Sequence, residues 1–197
     1  MARLDTETRQ EQIKKAILDI VSTEGIGKLS TRNVALRVGV TEGALFRHFP
    51  SKKAMMLSIL EDVKHDLLSA QEKIVYSGLK AAEKLKSFLC LHVNYLIDNK
   101  GITMLLFSEA AHLNDPNLKG GLREILLTQK EYVSKIVREG MNEGIWDTSL
   151  EVENVAMLYM GIPITLNIEL ILQSDRVSRD RFCDQMLDLF ERFLDKR

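Results

Sequence analysis

The side chains whose types and spacing could do chemistry in this 197-residue sequence cluster between positions 28 and 53. Lys28, Arg32, Arg37, Arg47, Lys52 and Lys53 are interleaved there with the hydroxyls Thr31 and Thr41 and the small residues Gly43 and Ala44. Cations at that density attract phosphate, hydroxyls can donate to its oxygens, and small residues let a backbone approach another surface closely. Bond-making chemistry has no comparable signature. His48, His65, His92 and His112 fall in no metal-ligand spacing, and there is no nucleophile elbow or glycine-rich phosphate loop. Cys90 and Cys183 lie far apart without a CxxC partner and read as two reduced core thiols. The expectation is a binding protein and not an enzyme, with no metal and no cofactor.

The cluster must be positioned by helices. Ile13, Ala16, Ile17, Ile20 and Val21 recur at helical spacing and predict a first helix over about 6–24, stopped by Gly25. Ser30 can cap a short second helix carrying Val34, Ala35 and Val38 on one face and ended by Gly39. Thr41 can cap a third, which Pro50 cuts short, and Ser51 a fourth over about 52–75. Two short capped helices joined by the tight turn Val38-Gly39-Val40-Thr41 describe a helix-turn-helix, whose second helix enters the major groove of DNA. Leu45 and Phe49 supply the packing side of that recognition helix. Thr41, Glu42, Gly43, Ala44, Phe46, Arg47 and His48 are left to face DNA. Thr31 with Arg32, and Lys52 with Lys53, stand at helix N-termini, where backbone N–H groups can join the side chains on a phosphate.

Composition agrees once the charges are located. The sequence is 45% hydrophobic and 28% charged with only 3 Pro, which favours a soluble protein of long helices over a sandwich or barrel. A net charge of −1 would argue against a nucleic-acid binder. Yet positions 25–53 hold six basic residues against one acid, and the balance beyond position 53 is about −5. A near-neutral total conceals a basic head on an acidic body.

The segment over 39–52, GVTEGALFRHFPSK, resembles the signature of the tetracycline-repressor (TetR) family, and Ser30-Thr31-Arg32-Asn33-Val34-Ala35 matches its preceding helix. The resemblance covers 25–57, about one sixth of the chain. It implies a homodimeric, ligand-responsive transcription factor, usually a repressor, on double-stranded operator DNA. It also implies an effector held among helices five to eight and pairing through the last two helices. Two positions depart from the family pattern: Thr41 stands where Ser is usual and can still cap, whereas Phe46 replaces a Tyr whose hydroxyl commonly touches a phosphate. Lys53 replaces a usual acid.

The expected fold is all-α with about nine helices. A helix-turn-helix domain over 1–52 joins through helix 4, over 52–75, to an effector-binding and dimerisation domain over 76–197. In that body, His92, Glu109, Gln129 and Tyr132 fall on apolar helix faces, where they either satisfy one another or orient a ligand in a mostly apolar cavity. Phe88, Tyr95, Met104, Phe107, Met157 and Met160 complete the candidate effector site, with core packing as the competing account. Pro163 predicts a kink in an apolar helix opening at Thr148 or Ser149 and reaching about Gln173. That helix, together with Phe182, Met186, Leu189, Phe190 and Phe193 on the last, is expected to form the dimer interface. The effector is expected to be small and lipophilic. The alternative is a DNA-binding regulator of the same fold controlled by a protein partner or lacking a small effector. The N-terminus lacks a secretory core and the longest apolar stretch is interrupted, so a cytoplasmic protein without membrane association is expected.

Overall fold

The computed structural model describes residues 5–172 and 178–195. Among them are nine helices, no β-sheet and one isolated bridge, between Trp146 and Asp195. Helix α1 (Thr6–Glu24) starts on Asp5, whose carboxylate accepts from the Thr8 amide at 2.8 Å, and buries the predicted stripe from Ile13 to Val21. Helix α2 (Thr31–Val38) is capped by Ser30, which accepts from the Asn33 amide at 3.2 Å. It ends on Gly39 at φ 77°, a left-handed conformation that a Cβ would oppose. The Thr41 hydroxyl caps α3 (Glu42–His48) by accepting from the Ala44 amide at 3.1 Å. Leu45 and Phe49 turn inward and, with Val34, close the small core of the head.

Helix α4 starts at Lys52 on its Ser51 cap and runs in three registers: α-helical Lys52–Asp62, a π-helical turn Val63–Leu68, and α-helical Ser69–Val75. The π turn is a departure from the regular helix that periodicity predicts. It takes one more residue per hydrogen-bonded ring, and Val63, Leu67 and Leu68 are all buried.

The body comprises α5 (Ala81–Asp98), α6 (Ile102–Leu113), α7 (Pro116–Asn142), α8 (Val152–Leu172) and α9 (Arg179–Leu194). Asp115 caps α7, accepting from the amides of Asn117 and Leu118, with Pro116 at a first-turn position that needs no donor. This 27-residue helix packs on α4, α5, α6 and α8 and is the central post of the body. Its last turn passes over Trp146, whose ring occupies the space beside Gly140 that a Cβ would need. Helix α8 opens at Val152 rather than at Thr148 or Ser149, because the Asp147 carboxylate instead accepts from the Ser149 amide in the preceding turn. It runs through Pro163 as one helix to Leu172, and the predicted end near Gln173 lies outside the described residues.

The expectation of two free thiols is overturned: Cys90 on α5 and Cys183 on α9 form a disulfide, with Cα atoms 5.5 Å apart. Their separation of 93 residues hid the pairing in the sequence, and the packing of α5 on α9 creates it. A cross-link over so long a loop restricts the unfolded chain, so reduction is expected to lower the unfolding free energy by about 2–4 kcal/mol. Urea midpoints with and without dithiothreitol measure this; coincident midpoints would show that the bridge adds no stability.

Candidate nucleic-acid interface and body cavity

The head presents one face of α3 to solvent. Thr41, Glu42, Gly43, Phe46 and Arg47 are exposed, and Ala44 and His48 are half-buried. The N-terminus of α2 lies beside that face: Thr31 Oγ1 donates to Glu42 Oε1 at 2.6 Å, fixing the carboxylate in the first turn of α3, where the helix dipole favours it. Arg32 is exposed next to this pair. The His48 carbonyl accepts from Gln10 Nε2 at 3.0 Å, tying the end of α3 to α1, and its buried Nδ1 has no protein partner.

The six cations over 25–53 divide into two sets. Arg37 is held by Asp19 and Glu24 of α1. Lys52 Nζ lies 2.8 Å from Glu109 Oε1 on α6, and Lys53 pairs with Asp115 at the start of α7. Lys53 also holds the Asp115 carboxyl below its ordinary range. Lys28, Arg32 and Arg47 form no ion pair among the described residues, so the uncompensated positive charge is concentrated around α2 and α3. Lys52 therefore lies at the junction of head and body, engaged with α6, whereas the other nine candidate DNA contacts lie on or beside α2 and α3.

A cavity with about 90 Å³ of free space lies inside the body, walled by α4, α5, α6, α7 and α8. Of the ten candidate effector residues it gathers His92, Tyr95, Phe107, Gln129 and Met160. The other five lie elsewhere. Phe88 is fully buried in an edge-to-face cluster with Tyr132 and Tyr159, Glu109 is turned to Lys52, and Met104 and Met157 are exposed. Ile102, Leu106, Ile125, Pro163 and Asn167 are lining residues beyond that set. Asn167 was legible as a polar break in an apolar helix, and Gln71 as another on α4. Neither could be aimed at the site from periodicity alone.

The polar groups around the cavity form a short chain. Gln129 Nε2 donates to Gln71 Oε1 at 3.2 Å and lies 3.4 Å from His92 Nε2. Asn167 Nδ2 donates to the Pro163 carbonyl at 2.8 Å. Burial pushes the Tyr95 and Tyr159 hydroxyls up and the His92 imidazole down to about 4. An unfolded histidine titrates near 6.5, so between pH 6.5 and 4 the unfolded chain binds the proton that the folded chain refuses. Stability is therefore expected to fall on acidification through that window, by on the order of 3 kcal/mol from this group, and to be insensitive to it above the window. Urea unfolding of His92→Phe beside the parent between pH 4 and 7 checks this: the variant should lack that part of the slope, and parallel curves would contradict the assignment.

Residues 13–59, spanning most of α1 through the first turns of α4, match the family model described as bacterial regulatory proteins, tetR family. A nucleoid occlusion factor, SlmA, of Vibrio atlanticus (strain LGP32) is 29% identical over 140 residues, which is 71% of this chain and 71% of that protein. A ketosteroid transcriptional regulator of Mycobacterium tuberculosis superposes with a TM-score of 0.80 at 18% identity, over 96% of each chain. A transcriptional regulator of Saccharomonospora viridis, solved in complex with choline, gives a TM-score of 0.76 at 18% identity, covering 98% of this chain and 100% of its own.

Proposed function

We propose that the chain, a DNA-binding transcription regulator of the tetR family of bacterial regulatory proteins, is a dimeric repressor that leaves a palindromic operator when a small lipophilic effector binds. It acts where DNA is found, in the cytoplasm or on the nucleoid. The observation that carries this reading is the pairing of a capped, outward-facing α3 with the unpaired cations Arg32 and Arg47. Residues 1–52 are the reading head, 52–75 the connector and 76–197 the sensing and pairing body.

Two copies meet through α8 and α9, whose outer sides expose Leu158, Leu189 and Phe193 around a groove lined by Gly161 and Ile162. Apolar exposure of that extent is what an isologous four-helix interface would cover. Phe190 lines the same groove with its ring 5% exposed and edge-to-face against Tyr159. The dimer places its two α3 helices in successive major grooves, about 34 Å apart. The effector occupies the body cavity and, by favouring one spacing of the heads over another, shifts the population off DNA. Selection of bound fragments from genomic DNA with the purified protein is expected to enrich an inverted repeat. Enriched fragments with no shared inverted repeat would contradict the reading.

A second reading, the same DNA-binding fold governed by a protein partner, is favoured by the tightness of the body. Its 90 Å³ of free space is less than the ~150 Å³ that accommodates benzene. The relative at 29% identity is named as a nucleoid occlusion factor and not as a ligand-responsive repressor. Release of operator DNA by a small molecule in a gel shift favours the first reading, and release by a protein fraction alone favours the second.

A further inference from the structure

The wall of the body cavity carries two polar atoms that the protein leaves without a partner: His92 Nδ1, on α5, and Asn167 Oδ1, on α8. Both side chains are at least nine-tenths buried. Buried polar groups are normally paired, so two orphans on one cavity mark a place where something else completes the bonds. Their roles follow from their neighbours. With the Gln129 amide nitrogen turned toward the ring, as it is while donating to Gln71, His92 Nε2 serves as the acceptor and the proton sits on Nδ1. Asn167 spends its amide nitrogen on the Pro163 carbonyl, which leaves Oδ1 as an acceptor. These two atoms offer an incoming molecule one donor and one acceptor, on a wall that also carries the Tyr95 and Thr103 side chains.

The cavity shows no charge. Among the described residues lining it there is no Asp, Glu, Lys or Arg, and burial keeps His92 neutral at physiological pH. Glu109, the nearby acid of α6, is paired with Lys52 and does not line the cavity. An ion entering would lose its hydration with no counter-charge to receive it, whereas a neutral hydroxyl would find both partners it needs. Apolar walls from Val63 and Leu67 of the π turn, Leu96, Leu106 and Ile125 suit the remainder of such a molecule. The exposed rim of Phe107, Leu126 and Ile164 gives a longer chain a way out of so small a space.

We propose that the effector is an uncharged, mostly apolar molecule bearing a hydroxyl that accepts from His92 Nδ1–H and donates to Asn167 Oδ1. This rests on the effector reading above and narrows it by excluding carboxylates, phosphate esters and quaternary ammonium ions. Isothermal titration of the full-length protein at pH 7.5 with 1-octanol, octanoate and octyltrimethylammonium tests it without any substitution. Octanol is expected to bind at least tenfold more tightly than either ion, and His92→Phe and Asn167→Leu, each checked for an intact helical spectrum, to weaken octanol about tenfold. Equal or tighter binding of either ion overturns the inference while leaving a small-effector regulator in place. Octanol affinity unchanged in both variants overturns the assignment of the two atoms. Failure of all three probes to bind overturns the inference and counts against the effector reading itself.

Discussion

Arg47→Ala is expected to weaken operator binding by about thirtyfold or more while the protein remains a folded dimer. A well-placed arginine contact to a base edge carries ~1–3 kcal/mol, and a two-fold symmetric complex loses it twice. Arg47 is exposed on α3 and forms no ion pair among the described residues, so its removal leaves no internal partner uncompensated. Gel shifts at several salt concentrations, with sedimentation to verify the dimer, make the measurement. A base contact relaxes sequence preference with little change in salt slope, and a phosphate contact lowers the slope by about one per subunit. Unchanged affinity would remove Arg47 from the interface. Lys52→Ala provides the contrast. Its ammonium is already engaged by Glu109, and its loss leaves that buried carboxylate without its cation, so the expected effect is on stability more than on salt dependence.

Leu189→Asp is expected to give a folded monomer whose operator affinity falls more than a hundredfold. The side chain is 58% exposed on the outer face of α9 and is not needed to close the core of its own subunit. In a dimer it would be covered, and an aspartate there would bring a charge from each subunit into an apolar interface. A monomer reads one half-site and loses the gain from having both heads on one molecule. Sedimentation velocity paired with fluorescence anisotropy on the selected operator measures both effects. A Leu189→Asp protein that remains a dimer would place the interface elsewhere. Phe190→Asp, one residue along, separates the pairing effect from a folding effect: that ring is 5% exposed and packs on Tyr159, so its replacement is expected to prevent folding.

The neighbouring pair Leu189 and Phe190 shows where sequence reading stops. Both fall on an apolar helical pattern, and nothing in the pattern says which of them meets its own subunit. The same holds in the body, where His92 and Glu109 look alike as polar residues on apolar stripes. One lines the cavity and the other reaches 57 positions back along the chain to Lys52. Met104 and Phe107 share a helix and a character, and only Phe107 meets the cavity: Thr103 and Phe107, four positions apart, face it, and Met104 is turned about 100° from Thr103.

The head is legible from residue types alone. Its caps at Ser30, Thr41 and Ser51, its left-handed Gly39 and its inward Leu45 and Phe49 act across at most a few residues, so the residue types alone prescribe the geometry that makes a DNA-reading element. The number and order of the helices are legible as well, since each is bounded by a local signal. Which cations remain free, which thiols meet and which polar atoms are left unpaired around the cavity follow from packing. Those outcomes depend on helices distant in sequence lying side by side. Lys52 with Glu109, Cys90 with Cys183, and Gln71 with Gln129 are each brought together by packing that no local pattern records.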